Sequence, residues 1–171
     1  MRRRLIAILV IAALGGCGKG DAPVAGFTLT SKAFKGGRPI PAAFTCDGAR
    51  RPPPLAWTAP PDTKSFALVV DDPDAPGGTF GHWGWFDIPP SVRSDEPQAG
   101  GSQAINDSGH PGYGAPCPPK SDPPHHYRFN LYALKVDHLN LGPNAKVRAV
   151  DAAAQQQAIA RADLIGTYQR R

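Results

Sequence analysis

Residues 69–89, V-V-D-D-P-D-A-P-G-G-T-F-G-H-W-G-W-F-D-I-P, decide how the rest of this chain is arranged. An apolar run at 66–70 ends in Asp71, Asp72 and Asp74, and a second apolar run begins at His82. The pattern predicts a strand, a polar loop and another strand. Because each proline restricts its own φ and the residue before it, D-P-D-A-P predicts a stiff loop that fixes its carboxylates in a binding site. An ordinary acidic turn is the open alternative.

The composition favours a loop-rich β protein of one domain. The chain has 171 residues, with 19 Gly, 20 Pro and only 19% charged residues, which suits many turns better than a helical bundle. Its formal net charge of +5 falls to +2 without the arginines at 2–4. The basic balance therefore belongs partly to the N-terminus, and we predict no nucleic-acid partner.

The N-terminus has the form of an export signal. The arginines at 2–4 precede an apolar run at 5–14 that is too short to span a bilayer, and L-G-G-C ends at Cys17. This resembles a bacterial lipoprotein signal, in which the cysteine is lipidated. We predict a signal at 1–17, a tether at 18–26, a single domain at 27–171, and a lipid-anchored location in the bacterial cell envelope, facing the periplasm or outer surface. A plain secretory signal is the alternative, and it also predicts export.

The other two cysteines are Cys46 and Cys117. An even pair in an exported protein predicts a disulfide. Spacing alone does not establish that the two Cα atoms lie close enough, so two buried thiols remain the alternative.

Hydrophobic periodicity predicts mainly antiparallel strands. Alternating or apolar runs predict strands at 27–31, 66–70, 84–88 and 127–134, and the prolines at 52–54 predict an extended segment. Residues 91–124 are expected to form a long ordered loop region. One helix is predicted at 151–164, capped by Asp151 and ended by Gly166.

Polar motifs flank these strands. They are the aspartates of D-D-P-D, His82, the Gly/Pro-rich segment 109–119, and His125-His126-Tyr127. Imidazole N–H, tyrosine O–H and loop amides together would form a pocket for an anion such as phosphate or carboxylate.

Other kinds of site have weaker signals. A metal site would use His82, His125 and an Asp, but neither H-E-x-x-H nor C-x-x-C occurs, so no metal or cofactor is predicted. A serine hydrolase would need a nucleophile; G-x-S-x-G is missing, and Ser108 lies in N-D-S-G-H, which matches no catalytic motif. His110 and His138 are interpreted as solvated loop residues.

Several of these motifs in order resemble the phosphatidylethanolamine-binding protein (PEBP) family, most closely its bacterial Raf-kinase-inhibitor-like branch. The motifs are D-D-P-D-A-P, G-H-W, G-Y-G-A-P-C-P-P and H-H-Y-R-F-x-L-Y-A-L, together with F-T-C-D-G at 44–48 and P-P-L-A-W at 53–57. They cover most of residues 27–164. The resemblance implies an antiparallel β fold of two sheets with a short C-terminal helix and peripheral helical turns.

The resemblance also implies an anion pocket at one end of the fold. Its ligand-binding residues would be Asp72, Asp74, His82, Ala115, Cys117, Pro118, Pro119, His125 and Tyr127. Backbone amides of 115–119 would face the anion. Two departures stand out: His126 replaces the arginine of the family's H-R-Y, which removes a permanent charge, and a glycine usual before that segment is replaced within S-D-P-P.

The leading hypothesis is a non-enzymatic, lipid-anchored binding protein without catalytic residues. Its ligand would be phosphate-like or phosphoethanolamine-like, with His82, His125 and Tyr127 donating to the anion and Asp72 and Asp74 holding the histidines. The resemblance also implies regulation or inhibition of an unidentified protein partner. The alternative is a hydrolase or isomerase that uses the same Asp/His pocket on a small phosphorylated or carboxylated substrate.

Overall fold

The computed structural model describes residues 26–94 and 100–171. The predicted signal with its lipidated Cys17 and nearly all of the tether lie outside the described residues. In chain order the elements are β1 (Leu29–Ser31), β2 (Arg38–Pro39), a 3₁₀ turn (Ala42–Phe44), β3 (Leu55–Trp57), β4 (Ser65–Asp72), β5 (Phe80–Ile88), β6 (Ser102–Gln103), β7 (His125–Leu134), α1 (Val147–Gln157) and β8 (Ala158–Tyr168).

The strands form two sheets, which confirms the predicted mainly antiparallel two-sheet fold. The larger has the order β2-β8-β7-β4-β5-β6 and the smaller pairs β1 with β3. Only the short β2–β8 pairing within these sheets is parallel. One apolar core lies between the sheets and includes Leu29, Trp57 and Phe66. A second core lies under α1 and includes Val69, Val147 and Val150. β4 is thus covered on both faces, which explains its continuous apolar run.

The helix predicted at 151–164 is wrong in both bounds. α1 begins at Val147, with Lys146 as its N-cap, and buries Val147, Val150 and Ala154. Asp151 is therefore not a cap; its carboxylate accepts hydrogen bonds from Tyr132 and Gln155. From residue 158 the chain continues directly as β8, whose ten pairings with β7 extend beyond the predicted helix end. The alanines of 158–162 fit either structure, and long-range pairing decides between them.

The register brings the polar ends of three strands together. Asp72, the last residue of β4, pairs with Phe80 at the start of β5, while Asp71 pairs with Arg128 near the start of β7. His82, His125 and Tyr127 follow from the same ends of β5 and β7. Within the described residues, no helix is both long and apolar enough to cross a membrane.

Candidate functional site

A cavity of about 270 Å³ opens at this polar end of the larger sheet. Eight of the nine predicted ligand-binding residues line it; the ninth, Asp74, does not line it. The described residues that line the cavity are Asp72, Ala75, Pro76, Phe80, His82, Ser108, Ala115, Cys117, Pro118, Pro119, His125 and Tyr127. A larger groove of about 590 Å³ lies between β1 and β8, but its two charged side chains, Arg161 and Asp163, pair with each other. We therefore place the candidate site in the smaller cavity.

A buried ion pair forms the floor of the site. Asp72 Oδ2 lies 2.7 Å from His125 Nδ1, and the two side chains are only 4% and 2% exposed. The other oxygen of Asp72 accepts the Asp74 N–H at 2.8 Å. The D-P-D turn thus holds the Asp72 carboxylate, which in turn holds the His125 imidazole.

The second nitrogen of His125 also faces a carboxylate. Nε2 lies 3.3 Å from Asp122 Oδ2. Burial acts to lower the pKa of His125, but the hydrogen bonds and charges of Asp72 and Asp122 outweigh it and raise that pKa. This geometry favours an imidazolium with both N–H groups engaged. The predicted role of His125 as a donor to an anion is therefore not available in this arrangement.

His82 is held in a different way from His125. Its Nδ1 lies 2.8 Å from the carbonyl oxygen of Gly114, which only accepts, so Nδ1 carries the proton. Burial lowers the pKa of His82, and the hydrogen bond to Gly114 opposes this effect only in part. The neutral ring leaves Nε2 as an acceptor, and His82 donates a second hydrogen bond only once it is protonated. A carbonyl, and not the predicted aspartate, orients this imidazole.

Tyr127 contributes a buried hydroxyl that lies close to Asp72. Its hydroxyl oxygen is buried and meets no hydrogen-bond geometry with any residue in the described part of the chain. Burial, followed by the nearby charge of Asp72, raises the pKa of Tyr127, so the hydroxyl keeps its proton. The ring packs edge-on against His82, with 5.2 Å between centroids.

The cavity wall at 113–119 is tied to the 44–46 segment. Tyr113 donates its hydroxyl to the Phe44 carbonyl at 2.8 Å, and the Cys46 N–H donates to Pro116 at 3.0 Å. Cys46 and Cys117 form a disulfide with their Cα atoms 5.3 Å apart. The predicted row of amides at 115–119 needs correction, because three of these five residues are prolines and only Ala115 and Cys117 carry an N–H.

Asp74 belongs to a separate, exposed pair. Its Oδ2 accepts the backbone N–H of His126 at 2.8 Å and lies 2.8 Å from that residue's Nδ1. These two bonds lower the pKa of Asp74. The Asp74 and His126 side chains are 42% and 56% exposed. Asp74 thus binds His126 outside the cavity. His126, which replaces the family arginine, does not line the cavity either.

Sequence reasoning missed Asp122 and Phe80. The ring of Phe80 lies against His82, with 4.8 Å between centroids; its place at the start of the G-H-W strand was the available signal. Asp122 lies three residues before His125 in S-D-P-P-H, where the departure from the family pattern pointed to altered loop shape. Among the residues that the structure describes, no group of three or more His, Cys, Asp or Glu side chains is arranged to hold a metal ion.

Comparisons with known proteins agree with this architecture. The sequence profile described as phosphatidylethanolamine-binding protein matches residues 30–169. An Aquifex aeolicus UPF0098 protein is 44% identical over 148 residues, covering 82% of this chain and 86% of that protein. A Mycobacterium tuberculosis protein named "Putative lipoprotein LppC" is 40% identical over 188 positions, covering 95% of this chain and 92% of that protein.

A solved structure gives the same result for the fold. The crystal structure of E. coli YbcL, described as a new member of the mammalian PEBP family, superposes with a TM-score of 0.80 at 34% identity. The superposition covers 86% of this chain and 100% of the YbcL chain. The profile match alone extends over far more than half of the sequence. The chain belongs to the phosphatidylethanolamine-binding protein family.

Proposed function

We propose that this chain is an exported, lipid-anchored, non-enzymatic protein that binds a phosphate-like or phosphoethanolamine-like group in its cavity. The observation that carries this proposal is the buried Tyr127 hydroxyl at the polar cavity, which meets full hydrogen-bond geometry with no described residue although the Asp72 carboxylate lies near it. An unsatisfied buried donor costs about 1–3 kcal/mol. A ligand oxygen that accepts from Tyr127 removes this cost, which favours an occupied site.

The size and wall of the cavity support a small polar ligand. Its volume of about 270 Å³ lies at the low end of ligand pockets, typically about 300–1,000 Å³. That volume suits a headgroup better than a headgroup with acyl chains. Phe80, Ala75 and Pro76 supply apolar wall, and His82 becomes a second donor when it takes up a proton.

Envelope anchoring is supported by two observations. The arginines at 2–4, the apolar run at 5–14 and L-G-G-C at 14–17 have the form of a lipoprotein signal. A relative that is 40% identical and covers 95% of this chain carries a lipoprotein name. We extend that property to Cys17 of this chain. Mass spectrometry of the membrane fraction tests it: a diacylated Cys17 at the mature N-terminus supports anchoring, and an unmodified mature chain contradicts it.

Calorimetric titration of the folded domain 27–171 with phosphate and phosphoethanolamine tests the binding site. We expect saturable binding by the wild type, weakened at least tenfold in Tyr127→Phe and His82→Ala. His138→Ala is the control, because His138 is exposed near Asp87, beyond the other end of β7. A folded wild type that binds neither ligand, or equal binding by Tyr127→Phe and wild type, would contradict the proposal.

One observation favours a hydrolase as the second candidate. Ser108 lines the same cavity as His82, whose Nε2 is an acceptor in the neutral ring. A serine hydroxyl within hydrogen-bond reach of such a nitrogen would be the arrangement of a nucleophile and its base; within the described residues no hydrogen bond joins Ser108 to His82. Phosphate release from a phosphomonoester, abolished by Ser108→Ala in a folded protein, would establish this activity in place of binding alone.

A further inference from the structure

His125 has two ring N–H donors; one is bonded to Asp72 and the other faces Asp122. An imidazole has two ring nitrogens, and here Nδ1 lies 2.7 Å from Asp72 while Nε2 lies 3.3 Å from Asp122. An entering anion therefore gains a hydrogen bond from His125 only by replacing one of these carboxylates.

The position of Asp122 is fixed by its surroundings. Its N–H donates to the Pro119 carbonyl at 3.2 Å, which closes a turn, and its own carbonyl accepts from Gln169 at 3.1 Å. The Ser121 hydroxyl donates to Oδ1 at 3.2 Å. The prolines at 123 and 124 then limit the backbone between this carboxylate and His125. Asp122 is thus directed toward the imidazole by the fold of the loop.

The two carboxylates that contact His125 are not equivalent. Asp72 is the closer, and its side chain is 4% exposed, whereas the side chain of Asp122 is 26% exposed. The longer, more hydrated contact is the one that an anion would displace first. Before displacement, the anion also meets the negative charge of Asp122 at the edge of the site.

We propose that Asp122 is an intramolecular competitor for the anion site: its carboxylate takes the place on His125 Nε2 that a ligand oxyanion occupies once Asp122 has moved aside. This inference rests on the proposed function. The ligand class is a phosphoryl or other oxyanion small enough to replace a carboxylate. Because only the fraction of molecules with Asp122 displaced can bind, the apparent affinity is lower than that of the open site by this fraction.

Phosphate titration of the full chain and of matched variants tests the competitor. Gaining or losing one hydrogen bond to a charged group changes binding affinity by about ten- to a hundredfold. We expect Asp122→Ala to bind inorganic phosphate tighter by about that factor, and Asp122→Asn to bind with intermediate affinity, since its amide oxygen still accepts from Nε2. Asp137→Asn, an exposed carboxylate beyond the far end of β7, should match the wild type.

A spectroscopic readout separates competition from a general effect on folding. In ¹⁵N NMR, phosphate should shift His125 Nε2 in the wild type while Nδ1, held by Asp72, changes little. In Asp122→Asn, the Nε2 resonance of the unliganded protein should already differ, with thermal unfolding showing a folded domain. A phosphate-induced shift confined to Nδ1 would overturn the competitor role.

The affinities distinguish this inference from the proposed function. Tighter binding by Asp122→Ala than by a wild type that also binds supports both. If the wild type binds as tightly as folded Asp122→Ala, or more tightly, the competitor role is overturned and the anion site is still supported. No binding by either folded protein overturns both the site and its competitor.

Discussion

The protonation state of His82 determines how the site recognises an anion. Its Nδ1–H is committed to Gly114, so a second hydrogen bond requires a proton on Nε2. In the unliganded protein, burial keeps the pKa of His82 below the usual 6.5. A bound anion stabilises the imidazolium and raises that pKa, and proton uptake is then linked to binding.

Anion affinity should therefore rise as pH falls. Between the lowered pKa of the free state and the raised pKa of the bound state, uptake of one proton strengthens binding by about tenfold per pH unit. Below the free-state value the ring is charged in both states, and this dependence ends. Calorimetry with sulfate, whose charge is constant over this range, measures the slope. A slope that persists in His82→Gln would assign the proton to another group.

Two Asp–His pairs, one in the cavity and one outside it, offer a matched test of burial. Asp72–His125 is buried, whereas Asp74–His126 is largely exposed. We expect Asp72→Asn to lower the free energy of unfolding by about 1.5–3 kcal/mol, because the buried His125 loses the charged acceptor of its hydrogen bond. Asp74→Asn should cost less than about 1 kcal/mol, since solvent screens its pair. Urea denaturation measures both, and equal losses would show that burial does not distinguish them.

Side-chain chemistry was more predictable than side-chain roles. The order of D-D-P-D-A-P, G-H-W and H-H-Y predicted that Asp72, His82, His125 and Tyr127 would share one cavity, and they do. Which nitrogen donates, and to what, depends on Gly114 and Asp122, which approach from loops. No local pattern specifies such contacts, because loop positions depend on long-range packing.

At the scale of elements, the C-terminal segment shows a similar limit. Residues 151–157 are rich in Ala and Gln and form a helix, whereas 158–168 bury alternate residues, including Ala160, Ala162 and Leu164. Because alanine has a high helix propensity, the sequence does not show clearly where the helical period ends and the alternation of a strand begins. The strand forms because β7 offers ten pairing positions and β2 pairs along the other edge. The strands at 66–70 and 127–134 were predictable because their runs are apolar or alternate clearly.

Gly166 tests the revised assignment of this segment. A Cβ there would lie 2.5 Å from Ile40 Cγ1 and 2.8 Å from Phe34 Cε2, so the residue is a point of close packing in β8 and not a helix stop. We expect Gly166→Ala to cost about 1–3 kcal/mol of unfolding free energy through overpacking. Gly77→Ala, where the Cβ meets nothing within 4 Å, should change stability by less than about 0.5 kcal/mol. A neutral Gly166→Ala in chemical denaturation would argue against this packing.

At the scale of the whole molecule, the disulfide joins segments 71 residues apart in sequence. Closing so large a loop restricts the unfolded chain, and native disulfides typically contribute about 2–4 kcal/mol. We expect the Cys46→Ser/Cys117→Ser variant to lose about this much stability and to unfold identically with and without dithiothreitol. Thermal unfolding of the wild type should shift downward on reduction; no shift would show that the bond contributes little.

The cavity and the start of the described chain lie toward opposite ends of β4. Phe27 stacks on Phe66 at the beginning of β4, whereas Asp72 at its end lines the cavity. Six residue steps of a strand separate these ends by about 20 Å. If Cys17 carries lipid, the end near Gly26 is the attached one, and the cavity lies at the end farther from the anchoring bilayer.

Fluorescence quenching by spin-labelled lipid headgroups measures this orientation on vesicles that carry the lipidated protein. Two exposed lysines give matched cysteine labelling sites: Lys64 precedes β4 at the attached end, and Lys120 follows the cavity-lining Pro119. Residues 18–25 extend at most about 28 Å and permit tilting, but attachment still keeps the nearer end closer on average. We expect stronger quenching of a label in Lys64→Cys than in Lys120→Cys. The reverse order would mean that the cavity faces the anchoring membrane, where its ligand would be a headgroup of that same leaflet.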